Sequence, residues 1–315
     1  MRALVTGAAG FIGSHLAGRL IADGHDVVGL DDLSDGALAN LDRAPGMRFV
    51  RADLRDSDAV RSAVSGCEVV FHQGAKRSVP RSINEPELFT EVNVRGTLNV
   101  LLAARDAGAR VVSASSSSVY GDQERFPLVE SMPASPRSPY AASKLAGEAY
   151  CRAFTVSMGV PTISLRYFNV YGPGQDPASE YAAVVPRFCL ACLTDTRPMV
   201  HGDGRQARDF TYIDDVIEAN LLAGRADDNA QGRTFNIGGG AEPTSVIDIL
   251  RIVSDLTGVS PDPVHESPRQ GDVRRTEADI SLAREFLGYS PAVDIRLGLE
   301  RVVEHLRATI ELGSG

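Results

Sequence analysis

Five short apolar runs recur through the first half of the chain, each closed by a glycine or polar cluster and separated from the next by a stretch with helical period. Residues 2–6 form the first, Asp26-Val27-Val28-Gly29-Leu30 the second, and Met47 to Leu54 the third. Glu68-Val69-Val70-Phe71-His72 and Arg110-Val111-Val112-Ser113-Ala114 complete the set. Runs of this length bounded by turn residues predict strands. Between them, Ser14 to Leu20 and a stretch ending near Val64 read as helices. A longer helix is expected over about 87–107, with Leu88, Val92, Leu98, Leu101 and Leu102 as its buried face. Strand and helix alternate, which predicts an α/β fold built on a parallel, doubly wound sheet.

Composition sets limits on this picture. At 315 residues the chain has room for one large domain or two closely joined ones, and 43% hydrophobic with 23% charged residues is ordinary for a globular protein. The formal charge of −9 and the lack of any basic run argue against nucleic acid and anionic membrane as partners. No apolar stretch is long enough to span a bilayer, and the chain enters a strand and turn at Met1-Arg2-Ala3, so a cytosolic location is expected. Cys67, Cys151, Cys189 and Cys192 are too scattered for a disulfide framework. Cys189 and Cys192 lie in Val184 to Leu193, which reads as an amphipathic helix with the thiols as small core residues, and no metal site is expected.

The first strand runs into Gly7-Ala8-Ala9-Gly10-Phe11-Ile12-Gly13. Glycines at 7, 10 and 13 permit a tight turn, close approach of backbone to a pyrophosphate, and close helix packing. The second strand ends at Asp31-Asp32, eighteen residues after Gly13, where an acid accepts from a ribose 2′-hydroxyl and repels a 2′-phosphate. NAD is therefore preferred to NADP; the plain alternative is that Asp31 only caps its strand. Asp53 and Leu54 close the third strand, where Asp53 is placed to meet an adenine amino group. The segment Gln73-Gly74-Ala75-Lys76-Arg77-Ser78-Val79-Pro80-Arg81 then forms a loop at the carboxyl edge of the sheet, where ligands bind in such folds. Arg77 and Arg81 in it read equally well as surface charge.

The densest candidate chemistry follows. Ser115-Ser116-Ser117-Ser118-Val119-Tyr120-Gly121 ends the fifth strand, and Ser138-Pro139-Tyr140-Ala141-Ala142-Ser143-Lys144 opens a helix. Tyr140 and Lys144 lie one turn apart on one helix face, so an ammonium is expected beside a phenol and favours its phenolate. A bare pairing at this spacing is usually chance. Here thirty of the 32 basic residues are Arg, and Lys occurs only at 76 and 144, which suggests a need for a compact, titratable ammonium.

Taken together, TGAAGFIGSHL, Asp31-Asp32-Leu33-Ser34, Asp53-Leu54, SSSSVYGD and YAASK resemble the extended short-chain dehydrogenase/reductases. Leu165 to Pro173, Gly202-Asp203-Gly204, Arg208 to Tyr212, Thr234 to Gly238 and Arg269 to Val273 narrow the resemblance to the nucleotide-sugar epimerases and dehydratases, most like bacterial UDP-N-acetylglucosamine and UDP-glucose 4-epimerases. The resemblance implies a Rossmann-like NAD-binding domain over 1–165 with returns from about 205–240. A smaller, interleaved nucleotide-sugar domain over 166–315 is implied with it, and a homodimer formed through the 87–107 and Tyr140 helices. It implies Tyr140 as general base, Lys144 as its partner and holder of the nicotinamide ribose, and Ser116 as the hydroxyl on the sugar 4-OH. Asn169, Arg208 and Arg269 fall on positions that grip the diphosphate, and Asp272 near the uridine ribose, with Ser78 and Ser117 expected on the substrate. Lys76 is expected, separately, to reach the sugar or nicotinamide end of the pocket.

By the same resemblance, dehydratases follow the catalytic hydroxyl with Asp-Glu, whereas this chain has Ser117 and Ser118. Elimination loses its usual acid and base, so 4-epimerisation of a UDP-sugar is favoured. Thr276 falls where a bulky Tyr stands in epimerases restricted to UDP-glucose and UDP-galactose, and a Thr leaves room for a 2-acetamido group; the alternative is a small residue pointing elsewhere. UDP-glucuronate epimerisation, atypical dehydration and a cofactor-binding module without catalysis stay open.

Overall fold

The computed structural model describes residues 1–177, 184–259, 261–267 and 273–313. In chain order, β1 (Arg2–Thr6), α1 (Phe11–Ala22), β2 (Asp26–Asp31), β3 (Arg48–Arg51), α2 (Ser57–Val64), β4 (Val69–His72) and α3 (Val79–Asn84) come first. They are followed by α4 (Pro86–Phe89), a π-helical turn over Thr90–Arg95, α5 (Gly96–Ala107), β5 (Arg110–Ser116), α6 (Pro139–Met158) and β6 (Thr162–Tyr167). The second half contributes β7 (Val170–Tyr171), α7 (Val184–Leu193), β8 (Met199–His201), β9 (Ala207–Arg208), β10 (Thr211–Tyr212), α8 (Ile213–Gly224) and β11 (Arg233–Ile237). The rest is β12 (Thr244–Ser245), α9 (Val246–Thr257), β13 (Val264–Glu266), α10 (Ser281–Leu287) and α11 (Ile295–Gly313).

The central sheet is parallel throughout, with seven strands in the order β11-β6-β5-β4-β1-β2-β3. The inner strands β1, β2 and β4 are buried along almost their whole length because both faces of the sheet are covered there, whereas β3 at the edge is exposed at both ends. Ala3 and Val5 of β1 point into one core with Leu16, Val216 and Phe235, while Leu4 between them points into the other with Val60, Leu101 and Phe154. Strand order turns back between β1 and β4, and the crevice above such a point is where ligands lie in open α/β sheets.

Two expectations need correction. The third strand stops at Arg51, not Leu54: the Ala52 N–H makes the last bond to β2, on the Asp31 carbonyl, and the chain then turns, with the Asp56 N–H donating to the Asp53 carbonyl (3.0 Å). The long helix is not uniformly α: six residues, Thr90–Arg95, adopt π geometry. Inside that turn the buried Asn93 side chain accepts from the Lys76 backbone N–H (2.7 Å) and donates to the Lys76 carbonyl (2.9 Å) and the Ser143 hydroxyl (2.9 Å). The wider turn thus aims one amide at both the loop after β4 and the helix carrying Tyr140, a common use of π-bulges near functional sites.

Candidate active site

A cavity of about 1020 Å³ runs along the carboxyl edge of the sheet, and the turn after β1, the loops after β2 and β4, the end of β5 and the start of α6 all line it. The glycine turn is built as the spacing requires. A Cβ on Gly13 would stand 2.0 Å from the Gly7 carbonyl oxygen, and one on Gly7, at φ +68°, would stand 2.8 Å from the backbone of Gly74. Only hydrogen at these places lets the loops after β1 and β4 close together under the cavity floor. Gly7, Gly10, Phe11, Ile12 and Gly13 all face the cavity.

Asp31 is buried at the end of β2, where its carboxylate accepts from the backbone N–H groups of Ala9 (3.0 Å) and Leu33 (2.8 Å). Burial pushes its pKa up and those two donors push back. Each oxygen keeps a lone pair, and Asp31 and Asp32 both line the cavity. Asp53 and Leu54 line it too, but the Asp53 carboxylate is engaged by Arg55 (Nη2 to Oδ2 2.6 Å), whose hydrogen bond lowers its pKa.

Lys76 differs from expectation. Its ammonium donates to the Ser34 hydroxyl (2.6 Å) and to Asp35 Oδ2 (2.8 Å) in the loop after β2. That loop lies three strands from the end of β5, a separation of about 14 Å at the usual strand spacing. Lys76 therefore ties the loop after β4 to the loop after β2, on the β2 side of the cavity rather than at the serine run. Ser78 also departs from its expected place. It is not among the residues lining the cavity, and its hydroxyl caps α3 by accepting from the Arg81 N–H (3.1 Å).

Ser116, Ser117, Ser118, Tyr140 and Lys144 come together at the other end. The phenol of Tyr140 lies beside Ser116 and packs edge-on to Phe89, with ring centroids 6.4 Å apart. Lys144 donates from Nζ to the Ala114 carbonyl (2.9 Å). Burial lowers the Lys144 pKa to about 8 and raises that of Tyr140; Ser116 and the charge of Arg77 oppose the latter shift. The sequence led us to expect Lys144 to lower the phenol. Burial outweighs Ser116 and Arg77, and Arg77 is the cation that acts on Tyr140.

Gln73, Ala75, Asn169, Arg208 and Thr276 line the same cavity. Arg208 and Thr276 are buried, and Thr276 accepts from the Asp209 N–H at 3.4 Å. Arg269 and Asp272 lie outside the described residues. Sequence reading missed Asn40, Arg137 and the role of Tyr167 as lining residues. Asn40 holds the glycine turn by donating to the Ala9 carbonyl (2.8 Å), and Tyr167 donates to Gln73 Oε1 (3.1 Å). Asn40 and Arg137 belong to no local motif and arrive through the tertiary fold, whereas Tyr167 stands in the Leu165 to Pro173 segment, two residues before Asn169, where its place in the motif was a signal. Cys189 and Cys192 are buried in the core, where burial pushes the Cys189 thiol up to about 12.

A model of the NAD-dependent epimerase/dehydratase family matches residues 3–238. A UDP-glucose 4-epimerase of Mycolicibacterium smegmatis is 43% identical over 313 residues, covering 98% of this chain and 99% of that one. Among solved structures, a UDP-glucose 4-epimerase of Thermotoga maritima with UDP-glucose superposes with TM-score 0.93 at 37% identity, covering 98% of this chain and all of that one. A UDP-N-acetylglucosamine 4-epimerase of Methanobrevibacter ruminantium, in complex with UDP-N-acetylmuramic acid, gives TM-score 0.92 at 35% identity over 98% of both chains. A glycine cradle that no Cβ would fit, an acid closing β2 and a Ser-Tyr-Lys cluster facing one cavity agree with that match: the chain belongs to the NAD-dependent epimerase/dehydratase family.

Proposed function

We propose that this protein interconverts UDP-sugars epimeric at C4, with a cavity that admits a 2-acetamido group and hence UDP-N-acetylglucosamine and UDP-N-acetylgalactosamine. The observation that carries the reading is the convergence of Ser116, Tyr140 and Lys144 on the cavity that the glycine turn and Asp31 also line. Gly7, Gly10 and Gly13 hold the pyrophosphate of NAD, Asp31 its adenosine ribose and Lys144 its nicotinamide ribose. When bound, NAD supplies the acceptor and then the donor of the hydride at the sugar C4. Tyr140 takes the proton of the 4-hydroxyl, aided by Ser116, and returns it after the 4-keto sugar has turned its other face inward. One C–H and one O–H bond break and re-form, so the reaction is redox-neutral. Arg208, with Asn169, holds the diphosphate through that turn, since a guanidinium keeps its charge and forked geometry.

Ser117 and Ser118 line the cavity and supply no carboxylate for elimination of water. Thr276 is the specificity position in this reading. Thr276→Tyr is expected to cut kcat/KM for UDP-N-acetylglucosamine at least tenfold and leave UDP-glucose within about threefold, as measured by coupled assay on both. Equal loss on the two substrates would remove Thr276 from that role.

A second reading is favoured by one observation: Arg77 lines the cavity and its charge acts on Tyr140, as a partner for a sugar carboxylate would. UDP-glucuronate as the fastest substrate of a panel would select it.

A further inference from the structure

Successive turns of α6 are tied to the end of β5. Lys144 donates to the Ala114 carbonyl (2.9 Å) and Glu148, one turn beyond, accepts from the Ser115 hydroxyl, while Tyr140, one turn before, faces Ser116 across the cavity wall. Glu148 is also gripped from β6: Arg166 donates from Nε to Oε1 (2.9 Å) and from Nη2 to Oε2 (2.7 Å), a forked pair in which both side chains are only 7% exposed. The Arg166 guanidinium stacks on the Tyr120 ring at 4.6 Å, and the Tyr120 hydroxyl donates to Asn236 on β11 (2.7 Å). Neither Glu148 nor Arg166 lines the cavity. A fully buried charge pair is costly to build, and a pair placed behind reacting groups points to a use other than stability.

We propose that Glu148, locked by Arg166, is a positioning residue for the reaction: it pins the serine end of β5 against α6 and supplies the negative field that faces Lys144. This rests on the reading of Tyr140 and Lys144 as the reacting pair.

The groups around Lys144 support it. On α6 these are Tyr140, Glu148 and Cys151, the last with its thiol pushed up to about 11 by burial. On β4 stands His72, hydrogen-bonded to Thr6 and Thr97 and kept neutral by burial, which lowers its pKa to about 3. On β6 stands Arg166, and after β5 comes Tyr120, whose burial raises its pKa to about 12. Burial lowers the Lys144 pKa, and Glu148 is the group that opposes that shift. Without the Glu148 carboxylate the unpaired Arg166 would press on Lys144 and drive off its proton more easily. Without Arg166 the carboxylate would act on Lys144 undivided.

The chain's two lysines make this directly measurable. Holoenzyme labelled with carbon-13 at lysine Cε should show two titrating signals, assigned by Lys76→Arg. Glu148→Gln is expected to lower the Lys144 midpoint by at least about one pH unit, which is tenfold in proton affinity. It should lower kcat about tenfold with KM for the sugar nucleotide unchanged, and leave the Lys76 midpoint in place. Arg166→Met is expected to move the Lys144 midpoint the other way. Midpoints within about 0.3 unit of wild type in the variants that fold, or failure of both variants to fold, would overturn the inference and leave the pair as packing alone. Tyr140→Phe, assayed alongside, separates the two claims: full activity there would remove the catalytic reading itself, whereas its loss beside unshifted Lys144 midpoints removes only the role of Glu148.

Discussion

Tyr140→Phe is expected to lower kcat about a thousandfold, within the span that a positioned general base contributes, while the fold and the NAD content stay as in the wild type. The substitution is close to isosteric. The ring keeps its edge-on contact with Phe89, and Ala141, Ser143 and the Ser138 cap that start α6 are untouched. Only the hydroxyl at the cavity, beside Ser116, is lost. Cofactor content by absorbance and kcat on UDP-N-acetylglucosamine check this. A variant that kept a tenth of wild-type activity would move the proton transfer to another group.

The second large effect lies in the floor of the site. Gly13→Ala places a Cβ 2.0 Å from the Gly7 carbonyl oxygen and 2.7 Å from its carbon, contacts with backbone that cannot swing aside. Relief requires α1 to move away from the β1 turn, which opens the cradle. We expect destabilisation on the order of 3 kcal/mol and loss of bound NAD, at the upper end of overpacking costs. Gly147→Ala is the control: its Cβ would meet Thr97 at 3.9 Å, an ordinary contact inside α6, and helix propensity favours Ala there by about 1 kcal/mol. Thermal unfolding of the two variants should move in opposite directions. If Gly13→Ala melts with wild type and holds NAD, the turn is looser than described here.

How much of this was legible beforehand depends on the range of the interactions. The strands and helices of the sheet follow from local apolar runs, and the expected boundaries of β1, β2 and β4 and the end of α2 hold within a residue or two. The glycine turn was readable because each glycine answers a backbone contact, which leaves a trace in sequence. The π turn was not, since it comes from Asn93 bonding to residues 17 positions before and 50 after it. Lys76 shows the same limit. Its scarcity marked it as special, but its partners Ser34 and Asp35 stand on a loop that only the strand order β4-β1-β2 brings near. Tyr140 and Lys144 were found from a four-residue spacing, whereas the balance of burial against charge that sets their protonation needed the tertiary surroundings. Glu148 lies at the same spacing beyond Lys144, and what singles it out is Arg166 on another strand.

The central claim is reversible oxidation at C4 with a cofactor that the protein retains. The most direct measurement is proton NMR of UDP-N-acetylglucosamine in D2O with purified protein and no added NAD. UDP-N-acetylgalactosamine is expected to grow in with protium still at C4, because the hydride that leaves is the one that returns. Deuterium at C4 of the product, or no epimer from any UDP-sugar while NAD is bound, would contradict it.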